Sequence, residues 1–280
     1  MGLCDTRKAA LIMPNTPRAF DSAATGYDQV FTDSEIGALQ RGAVHRHLER
    51  TVLGSKSLSI LELGCGTGED AVFFAERGHT VTATDVSTAM LDRTNSKAEA
   101  RGLGDRVRIT PLDLQAPETS GLDGPFDLVF SNFGALNCID SQALHRLAGH
   151  LENLTAAGSA IVVVVMPRAC VWESLYFLGQ ARPTAAFRRF SKGPVAAPVG
   201  PETVRTWYHS PRTITGAFGR AFCRNALVPI GLAVPPSFLE PWAVRHPRIL
   251  AALARLDRSL RPIATLAFIA DHALVHLERT

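Results

Sequence analysis

The chain has 280 residues, 46% of them hydrophobic and 20% charged, which supports a sizeable core and excludes a disordered chain. The net charge of +3 is unevenly spread. Residues 168–280 hold 15 Lys and Arg against 6 Asp and Glu, whereas the first 167 residues carry a balance of −6. A basic second half fits an anionic substrate, a membrane surface or a nucleic acid, and fits ordinary solvated helix faces equally well.

Strands and helices are predicted to alternate through the first part of the chain. Residues 1–17 are predicted to form a mobile arm, and Ser34 is an expected N-cap. The predicted helices cover 18–29, 34–51, 69–77, 87–101 and 141–154, and the predicted strands cover 58–63, 79–84, 107–110, 126–131 and 159–166. This alternation indicates right-handed crossovers and a parallel sheet with helices on both faces.

The rhythm changes after Pro167. We expect a helix over 169–181, a Pro/Gly/Ala loop at 193–201, a strand over 204–209 and a helix from 210. A strand over 223–232, helices within 237–266 and a strand over 268–277 are expected to follow. We therefore divide the chain into the arm, a core at 18–166, and a part of the same domain at 167–280. That last part holds two strands and two helical inserts, at about 168–206 and 233–267.

The cysteines and the N-terminus bear on location. The five cysteines are scattered without a C-x-x-C pair, which argues against a disulfide framework or zinc site and favours a reducing compartment. The N-terminus lacks the sustained apolar stretch of a secretory signal, and no apolar run reaches the ~20 residues that span a bilayer. We expect a cytoplasmic protein without a transmembrane segment, and a peripheral membrane contact stays open.

A glycine turn after the first strand predicts a ligand site. The apolar run of 58–63 ends in Gly64, Gly66 and Gly68, and a helical pattern follows at once. Glycine is needed where a side chain would block a ligand or where φ must be positive. Asp85 ends the next strand, where a carboxylate can accept hydrogen bonds from a ribose diol.

The spacing of the turn separates two ligand classes. In the dinucleotide pattern G-x-G-x-x-G a third glycine would stand at position 69, but Glu69 and Asp70 open the helix here and would repel a pyrophosphate. Glu62, just before the turn, suits a ligand with an ammonium group. S-adenosylmethionine has an amine, a sulfonium and a ribose but no phosphate, so the turn favours it over NAD.

Four segments carry a family resemblance. They are E-L-G-C-G-T-G at 62–68, T-D-V-S at 84–87, L-D-L at 112–114 and F-D-L-V-F-S-N-F at 126–133. In this order the chain resembles the class I S-adenosylmethionine-dependent methyltransferases over about residues 20–166. The resemblance implies an α/β, Rossmann-like doubly wound, mostly parallel seven-stranded sheet with an antiparallel last strand. A helical cap completes the expected fold.

Positions around the cofactor follow from the carboxyl-end rule for open sheets together with the resemblance. Glu62 and the glycine turn, with Cys65, would lie along the methionine part, and Asp85 would take the ribose hydroxyls. The remaining expected contacts are Val86, Met90, Asp113 and Leu114 at the adenine, Asn132 and Phe133 near the reactive methyl, and Tyr27 closing over the cofactor. Helix N-capping is the alternative for Asp85 and Asp113, and a buried aromatic is the alternative for Tyr27.

The chemistry asks little of a general base. Alignment of nucleophile, methyl carbon and sulfur supplies on the order of 7–11 kcal/mol, and a base is needed only if the nucleophile must lose a proton. The candidates are Asn137 after the fourth strand, His45 on the second helix, and Tyr208 and His209 in the first insert. Solvated or packed positions are the alternative for the histidines.

The substrate is less defined than the cofactor. Asn132 is not acidic, which argues against a metal, and no dedicated RNA-binding module is visible, which argues against nucleic acid. Aromatic residues of the inserts, Trp172, Tyr176 and Trp207 among them, indicate a partly apolar small molecule of natural-product, quinone or lipid type, methylated at carbon or oxygen. An RNA or protein methyltransferase and a non-catalytic cofactor-binding protein remain as alternatives.

Overall fold

The computed structural model describes residues 16–28, 32–119 and 121–280. Residues 1–15, most of the predicted arm, lie outside the described residues, and positions 16–17 already belong to the first helix. The helices of this part are α1 (Thr16–Ala23), α2 (Glu35–Thr51), α3 (Glu69–Glu76), α4 (Thr88–Ala100), α5 (Ser141–Asn153), α6 (Val171–Gly179), α7 (Pro183–Ala186), α8 (Pro211–Ala217), α9 (Glu240–Arg245) and α10 (Pro247–Leu260).

Seven strands form one sheet in the order β3-β2-β1-β4-β5-β9-β8. They are β1 (Ser59–Leu63), β2 (Thr80–Asp85), β3 (Val107–Pro111), β4 (Phe126–Ser131), β5 (Thr155–Val165), β8 (Phe222–Ile230) and β9 (His272–Arg279). The first five strands pair in parallel, and β9 runs antiparallel to both β5 and β8. The predicted sheet with its antiparallel last strand is confirmed.

Alternating side chains of the central strands supply two cores. Leu61, Val129 and Ile161 face one side with α5 and α8, whereas the neighbouring Ile60 and Leu128 face the other side with α2 and α3. Successive strand residues point to opposite faces, and a parallel strand covered on both faces is apolar at every position. The run from Ile161 to Val165 is accordingly buried throughout.

The first insert differs from the sequence-based expectation. Positions 193–201, predicted to be a loop, contain β6 (Val195–Val199), which pairs antiparallel with β7 (Glu202–Thr206) in a separate two-stranded sheet. The prediction of a loop was wrong, because a two-stranded edge tolerates a composition rich in proline, glycine and alanine, Pro198 included. The last strand begins at His272, since Ala264–Phe268 form a 3₁₀ turn.

The second insert packs against the N-terminal half through a remote helix cap. The carboxylate of Glu240, at the start of α9, accepts hydrogen bonds from the backbone N–H groups of Glu35 (2.7 Å) and Ile36 (3.0 Å). These amides belong to the first turn of α2, where a negative charge is favourable.

Among the helices described, none is long and apolar enough to cross a membrane.

Candidate cofactor and active site

A cavity lies at the carboxyl ends of β1, β2 and β4, where the strand order reverses between β1 and β4. It encloses about 1080 Å³ of empty space, including the part open to solvent. This is the edge at which open α/β sheets bind ligands.

The three glycines of the turn have three different roles. All have positive φ, and a Cβ on Gly64 would lie 2.4 Å from the Cβ of Ala135. The nearest atom to a Cβ on Gly66 would be Cε1 of Tyr27, at 3.9 Å. The space above Gly66 is therefore open to a ligand. A Cβ on Gly68 would lie 2.7 Å from the Thr94 side chain, and Gly68 is the N-cap of α3. Gly68 serves helix packing and is not among the residues that line the cavity, and its contact with the cofactor stays a prediction.

Asp85 joins the turn to the end of β2. Its Oδ2 accepts the N–H of Gly66 at 3.0 Å and its Oδ1 accepts the N–H of Ser87 at 2.9 Å. Burial raises the pKa of Asp85, and these backbone hydrogen bonds oppose that rise. The carboxylate lines the cavity and keeps lone pairs for further donors.

A charged cluster forms the wall beside the turn. Asp70 accepts a hydrogen bond from Nδ2 of Asn132 at 2.9 Å, its Oδ1 lies 2.5 Å from Nε2 of His45, and Nε of Arg41 lies 3.6 Å from the same oxygen. Burial alone would raise the pKa of Asp70, but Arg41 and His45 lower it to about 2.

Glu62 is the unsatisfied member of this region. It is 2% exposed, and its Oε2 has no hydrogen-bond partner among the described residues. Burial and the neighbouring Asp70 raise the pKa of Glu62 well above its ordinary value. Glu62 is not among the residues that line the cavity, and its contact with the cofactor stays a prediction.

The residues present fit S-adenosylmethionine. The orphaned carboxyl oxygen of Glu62 suits an ammonium group, Asp85 suits a ribose diol, and the space above Gly66 admits a ligand against the backbone. Arg41, which also lines the cavity, provides a cation for a carboxylate.

The segment from α1 to Asp28 lies over the cavity. Oδ1 of Asp21 accepts hydrogen bonds from Oγ of Ser87 (2.6 Å) and the N–H of Ala89 (3.3 Å), and Asp28 accepts from Oγ1 of Thr67 and Nζ of Lys97. These contacts hold α1 and the following residues over the glycine turn.

Most predicted cofactor residues lie in the lining of one cavity. They are Tyr27, Gly64, Cys65, Gly66, Asp85, Val86, Met90, Asp113, Leu114, Asn132 and Phe133. Sequence reasoning missed Phe20, Arg41 and Asp70 as lining residues. The first two stand in helices without a motif. Asp70 was visible only as a charge hostile to phosphate.

The structure gives Asn137 a packing role. The side chain is fully buried, its Nδ2 donates to the carbonyl oxygens of Trp207 (2.6 Å) and Met166 (3.1 Å), and its Oδ1 accepts the N–H of Met166 at 2.9 Å. An amide with its groups so occupied has none left for a substrate, which corrects the prediction of Asn137 as a catalytic residue.

The other catalytic candidates are also engaged elsewhere. His45 contacts Asp70 through Nε2 and stacks on Phe73 with ring centroids 3.6 Å apart. His209 is 2% exposed, and its Nε2 lies 2.9 Å from the carbonyl oxygen of Ile139. Tyr208 is buried beneath the guanidinium of Arg189, at 5.3 Å, and burial raises its pKa. None of the three candidates lines the cavity.

Two of the predicted substrate aromatics, Trp172 and Tyr176, pack against the second insert. The indole N–H of Trp172 donates to the carbonyl of Ala233 at 3.2 Å, and Tyr176 packs on Phe238 with ring centroids 4.9 Å apart. The backbone N–H of Trp207 donates to the carbonyl of Asn137 at 2.7 Å. The three are absent from the lining because the N-terminal segment, rather than the inserts, covers the cavity. Across the described ranges, no group of three or more His, Cys, Asp or Glu residues could hold a metal ion.

The sheet topology, the glycine turn and the acidic residue after β2 together define a Rossmann-like S-adenosylmethionine-dependent methyltransferase domain. Residues 60–158 match the family model described as a methyltransferase domain, and this match supports a class I S-adenosylmethionine-dependent methyltransferase.

Relatives within this family act on different substrates. The chain is 32% identical over 114 residues to the tRNA 5-carboxymethoxyuridine methyltransferase of Escherichia coli (strain K12), covering 40% of this chain and 43% of that protein. It is 29% identical over 179 residues to the malonyl-[acyl-carrier protein] O-methyltransferase of Erwinia pyrifoliae, covering 63% and 61%. Its matched segments thus span about half the length of these curated relatives.

A solved structure shares the fold over most of the chain. It is the geranyl diphosphate C-methyltransferase of Streptomyces coelicolor A3(2), in complex with Mg²⁺, geranyl diphosphate and S-adenosyl-L-homocysteine. The TM-score is 0.53 at 18% sequence identity, with 85% of this chain and 77% of that chain covered.

Proposed function

We propose that the protein transfers the methyl group of S-adenosylmethionine to carbon or oxygen of a partly apolar small molecule of natural-product, quinone or lipid type. The observation that carries the proposal is the covered cavity. α1 and residues 24–28 close over the glycine turn, and the cavity has apolar walls from Phe20, Leu112, Phe133 and Ile139. A covered, apolar cavity suits a small substrate better than a folded macromolecule.

The cofactor would be held along one line of the cavity. We assign the ribose to Asp85, the amine to the side of Glu62, and the carboxylate to Arg41. Val86, Met90 and Leu114, with Asp113 at the edge, form the remaining wall that would receive the adenine. Asp113 keeps its local role as well, because its Oδ1 accepts the N–H of Gln115 at 2.8 Å.

Phe133 marks the region of methyl transfer in this proposal. It follows β4 with φ +43, a conformation that is strained for a residue other than glycine. Its ring lies between the guanidinium of Arg41, at 5.4 Å, and the imidazole of His272, whose centroid is 5.3 Å away. Backbone strain of this kind persists where the surrounding contacts hold a residue in place, and it is common at active sites.

S-adenosylmethionine, when bound, supplies a methyl group already activated by the sulfonium charge. The protein's part is to align the acceptor and exclude water. Burial raises the pKa of Cys138 and of Tyr27 to about 12, so both lining groups are protonated at neutral pH and neither serves as a ready base. A substrate whose acceptor is nucleophilic without prior deprotonation fits this cavity best.

Incubation with S-adenosylmethionine labelled in the methyl group, followed by fractionation of a cell extract, tests the proposal. Label in an organic-soluble small molecule supports it. Label in RNA or protein would instead favour a macromolecular substrate, a candidate that the similarity to the tRNA enzyme keeps in play. Cofactor binding without transfer to any fraction would favour a non-catalytic binding protein.

The cofactor site is tested separately with Asp85→Ala. We expect loss of S-adenosylmethionine affinity by about tenfold or more, because a buried carboxylate that binds hydroxyls is removed. Asp92→Ala is the matched control, since Asp92 is exposed on α4 away from the cavity. Equal affinity in the two variants would contradict the ribose assignment.

A further inference from the structure

Helix α6 is turned inside out. Its one buried residue is Glu173, at 1% exposure, while Val171, Leu175 and Leu178 are 39%, 63% and 45% exposed. These three aliphatic residues stand at positions i, i+4 and i+7 and therefore share one helix face. A helix on a globular domain normally buries such a face and exposes its carboxylate.

Buried ion pairs hold α6 in this orientation. Oε1 of Glu173 lies 2.6 Å from Nε of Arg188, and Oε2 lies 3.0 Å from Nε of Arg189. Arg189 is itself fixed, because its Nη2 donates to Oδ1 of Asp271 at 2.8 Å. The outward direction of the leucines is thus built into the fold and is not a loosely packed helix end.

Two further exposed apolar residues follow α6 in the chain. Phe187 and Phe190 are 50% and 51% exposed, with ring centroids 6.1 Å apart. Phe238 packs on Tyr176 and Phe177, on the opposite side of α6, and is not part of this face. We define the α6 surface as Val171, Leu175, Leu178, Phe187 and Phe190.

The charges around this surface have one sign. Between residues 168 and 192 the one acidic side chain is the buried Glu173, whereas Arg168, Arg182 and Lys192 are exposed. Nη2 of Arg168 donates to the carbonyl of Phe190 at 2.8 Å, and Arg182 lies over the Phe177 ring at 5.1 Å. Arg168 therefore contacts Phe190 of the α6 surface, and Arg182 and Lys192 are exposed in the same stretch of chain.

We infer that the α6 surface docks on an anionic membrane. Exposed Leu and Phe beside Arg and Lys is the composition of interfacial membrane-binding segments, in which the apolar groups enter the acyl boundary and the cations meet lipid phosphates. The chain that leads into α6 passes close to the cavity. α6 follows the carboxyl end of β5, where the methyl of Met166 lies 3.1 Å from the Cβ position of Gly134 in the cavity wall. Docking would bring the site next to an apolar substrate dissolved in the membrane, but it does not depend on methyl transfer.

Co-sedimentation of the full chain with vesicles tests the inference. We expect binding to phosphatidylcholine vesicles that contain phosphatidylglycerol, weaker binding to phosphatidylcholine alone, and partial release by high salt. Leu175→Ser with Leu178→Ser should weaken binding by about tenfold or more, because affinity scales with the apolar area inserted.

The matched control replaces two exposed aliphatic residues that also stand next to exposed arginines, Arg248 and Arg255. Ile249 and Leu256 on α10 are each 48% exposed, against 63% and 45% for Leu175 and Leu178, and Ile249→Ser with Leu256→Ser should leave vesicle binding unchanged if docking belongs to the α6 surface. Equal loss in both double variants, or no binding of the wild-type chain to anionic vesicles, would overturn the inference.

A second measurement separates the membrane from a protein partner. Sedimentation velocity without lipid should show the same species for the wild type and for the Leu175/Leu178 variant. A wild-type dimer that the Leu175/Leu178 variant abolishes would show that the α6 surface is a self-association interface, and would overturn the membrane assignment.

Discussion

Asn137 and Trp207 bond to each other twice. The backbone N–H of Trp207 donates to the carbonyl of Asn137 at 2.7 Å, and the Asn137 side chain donates back to the carbonyl of Trp207 at 2.6 Å. Asn137 belongs to the 3₁₀ turn Ala135–Cys138 after β4, and Trp207 directly follows β7. The bonds fasten the first insert to a turn that lines the cavity.

Asn137→Ala should therefore lower the free energy of unfolding by about 2–3 kcal/mol, because it leaves buried carbonyl and amide groups without partners. Urea denaturation measures this effect. Asn153→Ala, on the exposed end of α5, is the control and should change stability by less than about 0.5 kcal/mol. Similar losses of unfolding free energy in the two variants would mean that the hydrogen bonds between Asn137 and Trp207 do not stabilise the fold.

Two glycine substitutions should fail in different ways. Gly66→Ala adds a methyl group to open space at φ +55, so the protein should fold with a cost of about 1 kcal/mol but bind S-adenosylmethionine at least about tenfold more weakly. Gly68→Ala drives a methyl group into Thr94 at φ +82 and should cost about 2 kcal/mol or more of stability. Thermal unfolding and equilibrium dialysis of both variants decide the matter. A reversed ranking would contradict the division of roles.

Glu62→Gln should stabilise the protein without its cofactor as the pH rises. The folded-state pKa of Glu62 is raised, so the native state holds a proton that the unfolded chain releases from about pH 4.5 upward, and wild-type stability falls in that range. Glutamine does not titrate, so the stability gain should be larger at pH 8 than at pH 5.

The same variant tests the proposed ammonium contact. Glutamine cannot form an ion pair, so S-adenosylmethionine affinity should fall while stability rises. Calorimetry in buffers of different ionisation enthalpy should also show a proton released when the wild type binds the cofactor, and none for Glu62→Gln. Unchanged affinity and proton release would refute the contact.

His47 and His276 should make the fold sensitive to mild acid. Their Nε2 and Nδ1 atoms are 3.2 Å apart, and burial together with the facing His276 lowers the pKa of His47 to about 4. Burial lowers the pKa of His276 as well. A lowered histidine pKa gives stability that is complete above pH 6.5 and is lost as the pH falls toward 4, here by about 3 kcal/mol.

Urea denaturation between pH 4.5 and 7.5 checks this, since a part of that slope should disappear in His47→Gln. The exposed His246 provides the control His246→Gln, which should keep the full slope. A His47→Gln variant that retains the whole pH dependence would exclude the pair as its source.

The sheet and the cofactor edge could be predicted because their signals are local. The glycine turn and the position of Asp85 depend on backbone geometry within a few residues, and the apolar strands state their own burial. Arg41 and Asp70 meet only through the docking of α2 on α3, which no sequence spacing reports. Trp172 and Tyr176 were misplaced for the same reason: an aromatic pattern shows that a face is buried, but not against what.

The N-terminal cap that Glu240 provides for α2 links the second insert to the cofactor site, although no residue of that insert lines the cavity. α2 carries both Arg41 and His45, and these two hold Asp70 at the cavity wall. Substitution of Glu240, at the start of α9, would leave the first turn of α2 without this cap, and α2 carries the two side chains that contact Asp70. Sequence changes in the second insert would therefore alter the affinity for the cofactor without changing any residue that lines the cavity.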